Sequence, residues 1–306
     1  MGVYGLVALA LLAFRVDLRL ILAATPWWVV PAFMAFASVG FAVRVARWLL
    51  LARAAGLGVR NAGLATVYVG GFLMNLTPGR IGELWRSWVL WHVWRLRYRR
   101  TLPLLICDRL LDLCALLLLG SAGLGLGSAG PGVAWLATPC LVAAAVLVTL
   151  MALPGWARRA TKAVWAATNR RRPRLFALLL SVCRNVALLL EPAHLVKLLS
   201  LSLLAWSLEA IALHVLMPAI GGELPLRAAL AALGVGNVAG AITFLPGGIG
   251  SQELTMTLFI AGVAGNSTAH AMAMVGIMRV STLWYSAALG LPFFLYLSRR
   301  GMGSGA

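Results

Sequence analysis

Read as a pattern of hydrophobic and polar positions, the chain is a series of long, unbroken apolar runs separated by short polar punctuation. Crossing a bilayer as a helix takes ~20 apolar residues, and six runs meet that length: 2–22, 27–51, 101–120, 132–153, 198–220 and 269–297, the first least well. Two further apolar stretches, 64–94 and 226–264, do not fit. Each is cut in its middle by a loop rich in proline and glycine, "NLTPGRIGEL" from Asn75 and "FLPGGIGSQEL" from Phe244. The halves on either side are about 12 to 19 residues long, too short for comfortable spanning, so each stretch predicts a broken helix that enters the membrane and returns. The expected fold class is an all-α polytopic membrane protein with about six spanning helices plus two re-entrant broken-helix hairpins.

Composition agrees with a membrane protein, since 62% of the residues are hydrophobic and 11% charged, where soluble domains carry about 25% charged residues. The net charge of +18 would point to nucleic acid in a soluble chain. Here the bases lie in short loops between apolar runs, so they are read as setting orientation, and no nucleic-acid partner is expected. Arg44, Arg47, Arg53 and Arg60 precede the first broken stretch, and Arg95, Arg97, Arg99 and Arg100 follow it, with no acid in either cluster. Both ends of that hairpin are therefore expected in the cytoplasm. Around the second hairpin, 221–227 holds one acid and one base and 265–268 holds neither, so its ends are expected outside. Nine bases against Glu191 in 155–197, and Arg299 with Arg300 near the C-terminus, place those segments inside. The 155–197 stretch is read as interfacial helices touching anionic inner-leaflet lipids. Residues 2–14 have neither a basic leader nor a clear cleavage site and are read as a short span, not a signal peptide.

Opposite entrances imply an inverted repeat, and the sequence carries its trace. Pro78 aligns with Pro246 at an offset of 168, and Glu83 with Glu253 and Arg109 with Arg279 at 170, the shift absorbed by Ser251 and Gln252. Glutamate and arginine are 26 apart in both units, so each glutamate is expected to face the arginine of the following span. The division that follows is one membrane domain over 1–306, with a first unit at 27–120, a linking span and basic helices at 121–197, and a second, inverted unit at 198–297.

Chemistry is expected where the helices break. An unsatisfied backbone group in lipid costs several kcal/mol, so a break marks a protein-lined or watery interior. Half-helices beginning near Gly82 and Ser251 direct free N–H groups and positive dipole ends at the break, a setting for phosphate or carboxylate. Glycines at 79, 82, 247, 248 and 250 leave room for close approach. Arg80, Arg86, Arg109 and Arg279, with Glu83, Asp108, Asp112, Glu209 and Glu253, all fall within membrane segments, where each costs ~2.5 to 3.5 kcal/mol unless paired. Asp108 and Asp112 share a helix face with Arg109, so an internal ion pair is feasible. A purely structural ion-pair network is the alternative. The histidines are dispersed and no nucleophile or metal motif occurs, so neither catalysis nor a cofactor is expected. Four cysteines without CxxC spacing read as small core residues. Trp85, Trp88, Trp91 and Trp94 recur every three residues as a packing or interfacial face, and GxxxG at Gly123/Gly127 and Gly236/Gly240 is a weak sign of close helix packing.

"NLTPGRIGELWR", "CDRLLD" and "LPGGIGSQE", in that order, resemble the transmembrane, flippase-like domain of lysylphosphatidylglycerol synthases over about residues 44–297. The soluble aminoacyl transferase domain of the namesake is not in this sequence, so the resemblance is to a stand-alone member and does not imply the synthase activity. It implies movement of lipid between leaflets of a bacterial or archaeal cell membrane. Pro78, Gly79, Arg80, Gly82, Glu83, Arg86, Arg109, Asp112, Pro246, Gly247, Gly248, Gly250 and Glu253 match the family's motif positions. Met74 and Asn75 stand where the family often has paired asparagines, and Asp108 where it often has glutamate. The substrate-binding set expected on both grounds is these residues with Asn75, Asp108 and Arg279. The function expected is a flippase for an anionic phospholipid, glycolipid or polyprenyl-phosphate-linked lipid. The alternatives are a channel of opposed re-entrant helices and a non-transporting subunit of a lipid-modifying system.

Overall fold

A computed structural model describes residues 25–125, 135–152, 155–167 and 173–303, and every regular element among them is helical. The expected weak span at 2–22 lies outside these residues. Among the described residues, four helices are long enough to cross a bilayer: α1 (Val29–Ala54), α4 (Tyr98–Gly123), α8 (Pro192–Leu216), and α11 (Thr268–Arg279), which continues through a π-helical stretch, Val280–Trp284, into α12 (Tyr285–Gly303); all but the charged α4 are also apolar enough. Twenty-six residues rise ~39 Å, more than a ~30 Å hydrocarbon core. Of these, α4 carries Asp108, Arg109 and Asp112 near its middle, and it lies inside the bundle with α5 (Ala137–Ala152), α7 (Pro173–Leu189) and α8 packed around it.

Both broken stretches are hairpins. In the first, α2 (Asn61–Gly70) runs into two 3-10 turns, Gly71–Leu76 and Pro78–Glu83, before α3 (Leu84–Trp94). The break falls at Thr77, which is extended (φ −82°, ψ 148°) because the proline ring that follows crowds an α conformation. In the second, α9 (Leu226–Ile242) is separated from α10 (Ser251–Ala264) by a tighter corner in which Leu245 is extended ahead of Pro246 and Gly247 and Gly250 hold φ of +59° and +93°. Those two angles need glycine, since a Cβ strains a left-handed backbone. The first α-helical half therefore begins at Leu84, two residues beyond the expected Gly82, because Pro78 starts a 3-10 turn first.

The packing makes the two units inverted. α4 follows the second hairpin's first arm in the opposite direction: Gly120 rests against Gly234, and Gly123 against Arg227 and Ala231. Its Tyr98 end emerges from the mouth of the first hairpin, and its Gly123 end reaches the mouth of the second. The closing helix of the second unit does the reverse, leaving the second hairpin at Thr268 and reaching the first, where Gly290 meets Val69 and Leu73 and Gly301 meets Trp88. The mouths thus lie at opposite ends of the molecule. The tips meet: a Cβ on Gly247 would stand 3.6 Å from the Asn75 carbonyl. One hydrophobic core surrounds each hairpin, the first built on Trp48, Leu64, Tyr68 and Leu104, the second on Phe33, Leu213, Met256 and Met274.

Smaller expectations resolve as packing. The tryptophan stripe is a contact face, with Trp85 on Phe294, Trp91 on Tyr98 and Trp94 against Gly63. Close approach of α4 to α9 uses Gly120 and Gly123; Gly127 lies outside the described residues. The basic linker folds as α6 (Gly155–Ala167) against α7, with Asn185 donating to the Arg99 carbonyl at 2.8 Å, which ties the pair to the mouth of the first hairpin.

Candidate functional site

Where the tips meet, ten charged side chains gather. Arg44 and Arg47, three apart and so on one face of α1, are not the loop charges expected from the sequence; the helix runs on to Ala54 and buries both. Arg47 is fully buried and bridges the two acids of α4, donating to Asp108 and Asp112 at 2.6 Å each and also to the Ser202 hydroxyl of α8. Arg109 faces the same acids from their own helix: its Nη2 donates to Asp108 at 2.9 Å, its Nε lies 3.0 Å from Glu83, and its Nη1 lies 3.6 Å from Asp112. Arg86 lies 3.5 Å from Asp108 and 3.8 Å from Glu83, with its guanidinium 4.3 Å over the Tyr68 ring. Three arginines and three carboxylates form one closed group.

Two smaller pairs complete the set. Arg44 donates to Glu209 at 2.7 Å and stacks on Trp206 at 4.2 Å, while the Trp206 indole N–H donates to Asp112 at 3.1 Å. At the second tip, Arg279 donates to Glu253 at 2.5 Å, to Gln252 at 2.9 Å and to the Gly247 carbonyl at 2.5 Å. Glu253 in turn accepts the Gly250 N–H at 2.7 Å. Thus the half-helix end at Ser251 already has a carboxylate on it. The expected pairs Glu83–Arg109 and Glu253–Arg279 are both formed. Each of these five arginines has a carboxylate partner, so the group is electrically balanced rather than positive. Burial explains the balance, because a lone charge at this depth costs ~2.5 to 3.5 kcal/mol or more.

Space adjoins the charges. A cavity of about 240 Å³ is lined by Arg109, Asp112, Trp206, Asn237, Gly247 and Gln252 among others, and the Arg109 side chain is 32% exposed, unlike its buried neighbours. A second cavity, of about 60 Å³, takes in Arg44, Asn75, Glu209 and Arg279. Trp206, Asn237 and Gln252 belong to both walls.

Of the expected site residues, Glu83, Arg86, Asp108, Arg109 and Asp112 come together in one group and Gly247, Glu253 and Arg279 in the other, with Asn75 between. Pro78, Gly82, Pro246, Gly248 and Gly250 shape the corners: the Gly82 N–H donates to Thr77 Oγ1 at 2.9 Å, and Gly248 packs on Gly240. Gly79 and Arg80 fall within Pro78–Glu83, and the Arg80 side chain lies outside what is described. The site also contains Arg44, Arg47, Trp206, Asn237 and Gln252, which are absent from the expected set. Arg44 and Arg47 carry a legible signal, two bases on one face of an apolar helix; Asn237 and Gln252 carry none, and in the alignment of the two units Gln252 is an insertion.

The comparisons with known proteins point the same way. The family described as the lysylphosphatidylglycerol synthase TM region matches residues 2–290. A UPF0104 membrane protein from Methanothermobacter thermautotrophicus is 34% identical over 94 residues, which are 30% of this chain and 28% of that protein. With nearly its whole length matched and a charged interior held by two opposed broken helices, the chain belongs to the family of the lysylphosphatidylglycerol synthase transmembrane region.

Proposed function

We propose that the protein moves a lipid between the leaflets of a cell membrane without altering it chemically, the headgroup passing through the charged interior while the acyl chains stay in the bilayer. The observation that carries this reading is the 240 Å³ cavity between the second tip and the middle of α4, lined by the partly exposed Arg109. Arg109 sits about midway along a ~39 Å span, where a lipid phosphate must pass on its way across. Since Arg109 is already held by Glu83 and Asp108, the phosphate competes with carboxylates for it, which favours a headgroup that binds briefly and leaves. An anionic phospholipid, glycolipid or polyprenyl-phosphate-linked lipid fits that chemistry. The end bearing Arg95, Arg97, Arg99 and the exposed Arg159, Lys162 and Arg184 faces the cytoplasm and its anionic headgroups in this reading.

Reconstitution tests it. Proteoliposomes carrying a fluorescent phosphatidylglycerol should lose inner-leaflet protection over time, and a neutral-headgroup analogue should exchange more slowly. Arg109→Ala should reduce phosphatidylglycerol exchange by about tenfold or more, the factor expected from losing one charge-assisted contact. Exchange equal to that of empty vesicles would refute the reading.

A further inference from the structure

The repeat makes Arg109 and Arg279 equivalent, at an offset of 170, yet the structure treats them differently. The Arg109 side chain is 32% exposed to a cavity of about 240 Å³, and that of Arg279 is 10% exposed beside one of about 60 Å³. A space of 60 Å³ is room for a water or two, not for a phosphate and its esters. Between the two lies a partition of Trp206, Asn237 and Gln252, shared by both walls.

We infer that the Arg279 chamber is a second headgroup site, collapsed in this conformation, and that Trp206 is the gate between it and the Arg109 chamber. This inference rests on the transport reading above. Trp206 is suited to the part because it is held from both sides: its indole N–H donates to Asp112, which lines the larger chamber, and its ring lies under Arg44, which lines the smaller. Gln252 is held similarly, accepting from Arg279 while facing both spaces. A phosphate arriving at Arg109 competes with all the carboxylates that face it, Glu83 and Asp108 in contact and Asp112 at 3.6 Å. It thereby disturbs the acid that anchors Trp206, so occupancy of the first chamber is coupled to the release of the gate. On release, the headgroup can pass to Arg279, whose contacts with Glu253 and the Gly247 carbonyl must open as those of Arg109 close. Inverted units that exchange roles in this way are the general route by which a fixed midplane site becomes accessible from alternate faces.

Ser286 reports on the smaller chamber, since it lines that space and is 2% exposed. With Cys140 and Cys183 changed to serine, Ser286→Cys should react slowly with a small methanethiosulfonate reagent while Trp206 is present. Adding Trp206→Ala should speed the reaction by about tenfold or more, the scale of losing a hydrogen bond to a carboxylate. Trp206→Phe, which keeps a ring and loses the indole donor, should fall between; Gln252→Ala provides an independent opening should Trp206→Ala fail to fold. In lipid exchange, Trp206→Ala should bring the rates for phosphatidylglycerol and the neutral analogue together. Labelling of Ser286→Cys that is the same with and without Trp206, or with and without Gln252, overturns the gate. A wild-type protein that exchanges no lipid while the labelling contrast holds overturns transport and leaves the partition standing.

Discussion

Arg47 and Arg109 contact the same two aspartates and differ in what surrounds them. Arg47 is enclosed, with both acids and Ser202 as its partners. Removing it leaves Asp108 and Asp112 four residues apart with no access to water on that side, a situation that costs about 3 to 5 kcal/mol in buried ion pairs. Arg109 is a third exposed to the cavity, so water can take its place beside Glu83. Arg47→Ala should therefore lower the thermal midpoint in detergent by several degrees more than Arg109→Ala does, while Arg109→Ala keeps the protein folded and loses exchange. Equal midpoints for the two variants would mean that burial does not distinguish them. Before the fold is known the two look reversed, Arg109 placed in a membrane motif and Arg47 in a basic flank.

At the scale of elements, the crossing of α4 with α9 sets where the charges stand. Gly123 and Gly234 allow the two backbones to touch, a Cβ on Gly234 falling 2.6 Å from Gly120 Cα and 2.8 Å from the Leu116 carbonyl. No flexible side chain is available to yield there, so the helices must separate. Gly234→Leu should cost stability at the scale of an overpacked core, ~1 to 3 kcal/mol or more, and should also displace Asn237, one turn on, from the cavity wall. A Gly276→Leu control, where nothing stands within 4 Å, should be tolerated. Thermal unfolding of the two variants in the same detergent checks the contrast. The breaks themselves were readable from residue type, since Pro78 and Pro246 end the preceding helical turn by steric necessity and Gly247 and Gly250 provide angles that other residues adopt only under strain.

For the whole molecule, the two mouths lie at opposite ends, and the basic one is proposed to be cytoplasmic. Single cysteines at Arg60 and Arg97 should label from one face of sealed vesicles and those at Gly222 and Asn266 from the other only. Labelling of Arg60 and Arg97 from different faces would make the first hairpin a full span, contrary to the packing of α4 along both hairpins. Much of this organisation was legible beforehand. Apolar length, a proline followed by glycines and the repeated spacing of 26 between glutamate and arginine depend on local chemistry and on the solvent, and together they determined the membrane class, the two broken hairpins and the matched pairs Glu83–Arg109 and Glu253–Arg279. What only the tertiary structure decided is which charges neutralise which, because ion pairing depends on contacts between helices far apart in the chain: Arg44 with Glu209 across 165 residues, Arg47 with Asp108 across 61. The same dependence decided that these five arginines are each met by a carboxylate, and that of two arginines equivalent in sequence one lines a cavity of about 240 Å³ and the other a cavity of about 60 Å³.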